Sequence, residues 1–305
     1  MFVAGPFSKR ILCSFSILIF LILSAFQKPP IRVEVEAVNV LVTVTDKKGR
    51  FVTDLPQGRF RIYEQGAQQA ITNFRHESNL PLMIGLIMDT SSSVRLKLDF
   101  EKQAATNFIY SVMRPSDQAL LVEFDTGVSL RHDFTAHPSA IASEIDQLKA
   151  GGGTALLDAL YLVSREKMAL SDARKTMVIV SDGMDLHSKR SLEEALDMAL
   201  DSGVIIYAIG TSRFGADHQK KGEDLLEELA EQTGGRAFFP YSADLLHQAF
   251  DQIDQELRSQ YSLTYVPSNK TKDGKFREIE VGILHNKDDL KVRHRKGYFA
   301  PGETS

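Results

Sequence analysis

The residues best placed to do chemistry are Asp89-Thr90-Ser91-Ser92-Ser93, which follow directly on the apolar run Leu82-Met83-Ile84-Gly85-Leu86-Ile87-Met88. Such a run reads as a strand buried on both faces. The acid and two of the hydroxyls therefore stand at alternate positions just past a strand's carboxyl end and can converge on one point. Gly151-Gly152-Gly153-Thr154 offers a further hydroxyl beside glycines that permit tight backbone approach. A second apolar run, Thr176 to Val180, delivers Ser181-Asp182-Gly183. Three loops thus contribute only oxygen donors, two carboxylates among them. That set suits a hard cation, Mg²⁺ or Mn²⁺ with Ca²⁺ as a third candidate, and disfavours zinc, which prefers nitrogen or sulfur. Singly, each residue has an ordinary explanation, with Ser91 or Ser93 capping a helix and Asp182 in a turn. The five together are poorly explained that way.

The elements that must position these loops are legible from hydrophobic period. After Leu80 the chain alternates apolar strands with amphipathic helices, in the order strand 82–88, helix 94–113, strand 118–125, a strand 127–134 pairing antiparallel with it, and helices 138–148 and 155–169. Strand 175–181, helix 191–201, strand 204–210, helix 223–232, a short edge strand 236–239 and a closing helix 243–258 follow. This order specifies a doubly wound, Rossmann-like, mostly parallel sheet with helices on both faces, whose ligands sit at the strands' carboxyl ends near the topological switch point. Residues 31–79 and 260–300 instead show period-two alternation and turn signals, as in Val38, Val40, Val42, Val44 and in Tyr261 to Val266. Three or four strands need a covering layer. The two β segments are therefore expected to pack on each other as one sandwich, with the α/β domain, residues 80–259, inserted between them.

In type, order and placement, the motifs resemble the von Willebrand factor type A domain with a complete metal-ion-dependent adhesion site. The Asp-x-Ser-x-Ser signature stands as Asp89, Ser91 and Ser93, the separate threonine as Thr154 and the second aspartate as Asp182. The flanks, with Val-Asn-Val-Leu-Val-Thr-Val-Thr-Asp at 38–46 and Gly-Tyr-Phe at 297–299, look similar to the VWFA-related Acidobacterial domain family. The resemblance implies that Ser91 and Ser93 bind the metal directly, with Asp89, Thr154 and Asp182 acting directly or through water. It also implies a protein partner whose Asp or Glu carboxylate completes the octahedron, because neutral hydroxyls leave the ion's charge poorly compensated. Asp158, one turn after Thr154, is expected to steady the glycine loop from outside the ligand shell, and Asp185 either to touch a metal-bound water or to sit in a solvated turn. Asp89 and Thr154 are expected on surface loops.

Composition narrows the functional classes. The 305 residues carry a formal charge of -4 with no polybasic field, so nucleic acid is not the expected partner. No Gly-x-x-x-x-Gly-Lys-Ser/Thr, His-Glu-x-x-His or Gly-x-Ser-x-Gly string occurs, and the glycine loop lacks the lysine of a phosphate cradle. The expected function is a metal-dependent binding or adhesion module of the cell envelope, not an enzyme. Two alternatives are a metal-assisted hydrolase drawing its base from Asp185 or Asp158, and a structural envelope module with no ligand at the metal. Lys9 and Arg10 precede the apolar run Ile11 to Phe26. Residues 1–27 thus read as a secretory signal peptide or an N-terminal membrane anchor, placing the rest outside the cytoplasm, with membrane contact only through that segment. The single cysteine, Cys13, lies inside it, leaving no disulfide framework.

Overall fold

The computed structural model describes residues 37–76, 80–169, 173–212, 220–285 and 289–302. The reading of residues 1–27 falls outside them, and no helix among the described residues is long and apolar enough to cross a membrane. Four strands come first: β1 (Val38–Thr45), β2 (Phe60–Glu64), β3 (Ala67–Gln69) and β4 (Ile71–His76). Strands and helices then alternate as β5 (Leu82–Asp89), α1 (Leu98–Val112), β6 (Gln118–Phe124), β7 (Val128–Thr135), α2 (Pro138–Gln147) and α3 (Leu156–Val163). They continue as β8 (Arg174–Ser181), α4 (Leu192–Asp201), β9 (Val204–Gly210), α5 (Lys220–Thr233), β10 (Ala237–Phe238) and α6 (Ala243–Leu257). The chain closes on β11 (Tyr261–Tyr265), β12 (Phe276–Ile283), β13 (Lys291–Arg293) and β14 (Gly297–Phe299).

Strands β5 to β10 form one sheet in the order β10-β9-β8-β5-β6-β7, parallel throughout except for β7 on β6. β5 is central because both of its faces are apolar. Ile84, Leu86 and Met88 share one core with Phe108 of α1, Ile145 of α2 and Phe250 of α6. Ile87 belongs to the opposite core, with Leu156 and Leu160 of α3 and Leu226 of α5. The chain leaves β5 for β6 on one side and returns to β8 on the other, so the switch point lies between the carboxyl ends of β5 and β8. Met88 registers with Val180, which sets Asp89 and Ser181 next to each other there.

Two element ends differ from the expectation. α1 starts at Leu98 rather than near 94, because Ser92–Val94 form a short 3₁₀ turn whose Ser92 N–H is spent on the Gly152 carbonyl. α3 ends at Val163 and continues as a π-helical turn over Ser164–Met168, where Met168 fills the space that a side chain on Gly85 would need.

The flanking strands form two four-stranded antiparallel sheets, β13-β1-β11-β4 and β14-β12-β2-β3. Val40 registers with Leu263 and Ile62 with Val281, so each sheet joins strands from both ends of the described chain. One buried cluster unites their inner faces: Val38, Val40, Val42 and Val44 with Phe60, Ile62, Leu263 and Ile279. Polar groups tie this layer to the α/β unit. Glu256 near the end of α6 accepts hydrogen bonds from Thr43 Oγ1 (3.2 Å) and Tyr207 Oη (3.1 Å) and pairs with Arg293. Inside the α/β unit, buried Asp117 accepts from the Leu82 and Arg114 N–H groups at 2.9 and 3.0 Å and pairs with Arg258 at 2.6 Å. Leu82 opens β5 and Arg258 follows α6, so these ties lie at the sheet edge opposite Asp89.

Candidate metal centre

Backbone bonds lock the three oxygen-bearing loops together before any side chain is counted. Gly151 N–H donates to the Thr90 carbonyl (2.7 Å), Ser92 N–H to Gly152 (3.2 Å) and His187 N–H to Thr154 (2.9 Å). Gly152 has φ +74°, and a Cβ there would fall 2.7 Å from the Asp125 carboxylate; on Gly153 it would meet the His187 ring at 2.4 Å. Glycine is required by this close approach. Gly153 N–H donates to Thr126 Oγ1 (2.7 Å) and Thr154 N–H to His187 Nδ1 (3.1 Å). The segment presenting Thr154 is thereby fixed from two sides.

On this frame Asp89 Oδ1 accepts from the Ser91 N–H (2.8 Å) and Oδ2 from the Ser181 hydroxyl (2.6 Å). Ser91 Oγ and Ser93 Oγ stand 2.8 Å apart, so the alternate hydroxyls do converge. Asp182 Oδ1 accepts from the Met184 N–H at 3.1 Å. The expectation that Asp89 and Thr154 lie on surface loops is corrected: they are only 0% and 4% exposed, because the loops stack on one another. Ser91 and Asp182 are buried as well, while Ser93 faces solvent. Burial pushes the Asp89 carboxyl up to about 6, opposed by the Ser181 and Ser91 hydrogen bonds and reinforced by the charge of Asp182. A buried acid whose ionisation is opposed by the neighbouring Asp182 charge, beside converging hydroxyls, makes a set that a hard divalent cation fits. Among the described residues no three His, Cys, Asp or Glu side chains gather around one ion position.

Asp158 and Asp185 are committed to the backbone. Asp185 Oδ1 accepts from the Leu156 N–H (2.8 Å) and the Ser188 hydroxyl (2.6 Å), capping α3 from the loop after β8. Asp158 Oδ1 accepts from the Lys189 and Arg190 N–H groups at 3.0 and 2.9 Å, while its own N–H donates to Ser188 Oγ at 3.0 Å. This reciprocal clasp fixes the start of α3, two residues past Thr154, against the loop that carries Asp182. Asp185 is thus an anchored cap rather than a solvated turn residue.

Sequence reasoning missed Ser181 as a partner of Asp89, although it adjoins Asp182. It also passed over Glu101, a buried acid on α1. The signal for Glu101 was available: Leu98, Glu101, Ala105, Phe108 and Val112 share the buried stripe of α1, and an acid on an apolar stripe is unusual.

The family model described as von Willebrand factor type A domain matches residues 84–252, more than half of the 305-residue chain. An uncharacterized protein of Synechocystis, sll0103, is 28% identical over 189 residues, which cover 60% of this chain and 43% of that protein's length. Among solved structures, a von Willebrand factor type A protein from Catenulispora acidiphila aligns at TM-score 0.52 and 13% identity, over 85% of this chain and 73% of its own. Proximal thread matrix protein 1 of the mussel byssus, with a zinc-occupied metal-ion-dependent adhesion motif, aligns at TM-score 0.52 and 18% identity, over 64% and 49% of the two chains. Both structural likenesses concern the fold.

Proposed function

Because the chain belongs to the von Willebrand factor type A family, we propose that it is a metal-dependent protein-binding module that grips an Asp or Glu carboxylate of its partner through a divalent ion. The carrying observation is the convergence of Ser91 and Ser93 Oγ, 2.8 Å apart, beside the buried Asp89 carboxylate. Ser91 and Ser93 would hold the ion directly, and Asp89, Thr154 and Asp182 directly or through water. The bound ion would supply an open, poorly neutralised coordination position for the partner's acid. Zinc in the mussel protein's motif is an occupant this chain would meet with oxygen donors alone, which favours Mg²⁺ or Mn²⁺.

The surroundings support a docking role. Three of the most exposed large apolar side chains, Leu96, Tyr241 and Leu186, follow β5, β10 and β8 respectively and lie at the carboxyl edge of the sheet. Leu186 is bonded through its N–H to the Thr154 carbonyl. An apolar rim around a cationic centre suits a protein surface. The hydrolytic alternative loses support, since Asp158 and Asp185, its named bases, are engaged with backbone N–H groups. Export through residues 1–27 belongs to the same proposal.

The test is equilibrium titration of metal-free protein with Mg²⁺ and Mn²⁺, coupled to capture from envelope extract with Mg²⁺ or with chelator. Asp89→Ala should lose the ion, while Thr154→Ala should lose partner capture more than metal affinity. Wild-type protein that binds neither ion, or capture unchanged by chelator and by both substitutions, would overturn the proposal. Asp89→Ala also strands the Ser181 hydroxyl, so its metal-free melting temperature must be recorded alongside.

A further inference from the structure

We propose that Glu101 is a further acidic member of this cation site, holding the ion's water shell from the α1 side without touching the ion; the inference rests on the metal-binding reading above. Glu101 is 1% exposed on a helix face otherwise lined by Leu98, Ala104, Ala105, Phe108, Ile109 and Val112. Its carboxylate oxygens have no hydrogen-bond partner besides the Thr211 hydroxyl that faces them. An acid so placed is costly to the fold unless something else needs it.

What surrounds Glu101 points toward the ion. Thr211 follows directly on β9, its N–H donates to the Ser181 carbonyl at 2.9 Å, and the Ser181 hydroxyl in turn holds Asp89. The buried Thr211 hydroxyl faces this carboxylate and has no other partner. Lys97 is the nearby cation, with its Nζ donating to the Thr211 carbonyl at 2.7 Å. Burial pushes the Glu101 carboxyl up to about 8, Thr211 and Lys97 pull it back, and Asp89 and Asp182 add to the rise. Glu101 stands one turn after Lys97, whose carbonyl accepts the Glu101 N–H at 2.9 Å, so the bonds from Lys97 to Thr211, Thr211 to Ser181 and Ser181 to Asp89 join the acid's surroundings to the site. No three acids converge on one ion position among the described residues, which sets Glu101 outside direct ligation and leaves water as the link. A divalent ion held by Asp89 and Asp182 would add a second positive charge near this carboxylate, besides that of Lys97.

The test uses Mn²⁺ and Mg²⁺ alone as probes, with Glu101→Gln, Glu101→Leu and Asp89→Ala compared with wild type by calorimetric titration and by melting with and without metal. Glu101→Gln should weaken Mn²⁺ binding by about ten- to a hundredfold, as loss of a carboxylate behind a metal shell does. Its metal-free melting temperature should equal or exceed wild type, and the increment added by metal should shrink. A Kd within twofold of wild type overturns the inference. So does a lower metal-free melting temperature in both Glu101 variants with the metal increment kept, or failure of both to fold, because the acid then serves the core. If wild type binds no ion, the metal-binding reading falls with it; if Asp89→Ala loses the ion and Glu101→Gln does not, only the role of Glu101 is lost.

Discussion

Replacing Asp185 with alanine should destabilise the protein from a position that touches no metal ligand. The carboxylate accepts from the Leu156 N–H at 2.8 Å, less closely from Leu157 at 3.4 Å, and from the Ser188 hydroxyl at 2.6 Å. Loss of a capping acceptor at a helix start costs about 1 kcal/mol. Loss of a further charge-assisted bond to a half-buried hydroxyl adds roughly another 1 kcal/mol. A total of about 2 kcal/mol lowers Tm by roughly 4–8 °C in a body of this size. Because Thr154 lies two residues before Leu156, freeing the start of α3 should also weaken partner capture while sparing the fold. Asp185→Asn keeps an acceptor oxygen and should recover at least half of the lost stability. Differential scanning calorimetry of the metal-free proteins decides the matter. A Tm shift under about 1 °C for Asp185→Ala, or an asparagine variant as unstable as the alanine one, would show that the clasp does not hold the loop.

Two further expectations follow from the layers around the site. His294 is held below its ordinary value of 6.5, first by burial, and its Nε2 accepts the Val281 N–H at 3.1 Å. Its folded pKa is depressed, so its stability contribution is present above 6.5 and lost as pH falls below that value; urea midpoints between pH 7 and 5 should drop in wild type and drop less in His294→Gln. Asp117→Ala leaves the Leu82 N–H without its acceptor and takes from the largely buried Arg258 the nearer of its two acidic partners, Asp254 remaining at 3.8 Å, which should destabilise the fold by about 3 kcal/mol, and a chemical denaturation midpoint unchanged from wild type would contradict the assigned tie.

Much of this was legible because local pattern and long-range role coincide. The runs ending at Met88 and Val180 are apolar on both faces, so their burial and the oxygens just past them could be read together. The valines at 38, 40, 42 and 44 likewise announced an inward face, and the structure pairs them across from the carboxyl-terminal strands. The unread parts depend on contacts between distant segments. Glu101 and Ser181 meet the site only after α1 and β8 are laid beside Asp89, and the clasp of Asp158 with residues 188–190 joins loops some thirty positions apart. Burial of Asp89 and Thr154 escaped the sequence reading for the same reason: each loop is open by itself and closed by the others.

The pairing of β1 with β11 bears on how the molecule would carry a mechanical load. Val38, at the start of β1, lies opposite Tyr265, while Tyr261, the first residue of β11, lies opposite Val42. β11 is the strand that receives the chain from α6. If the polypeptide were held upstream of Val38 and pulled at the metal edge, force would enter this ladder at opposite ends of two antiparallel strands. The hydrogen bonds from Val38 to Val42 would then be strained together in shear instead of opening one after another like a zip. A ladder loaded this way shares the force among all its bonds and so resists pulling better than one opened from a single end.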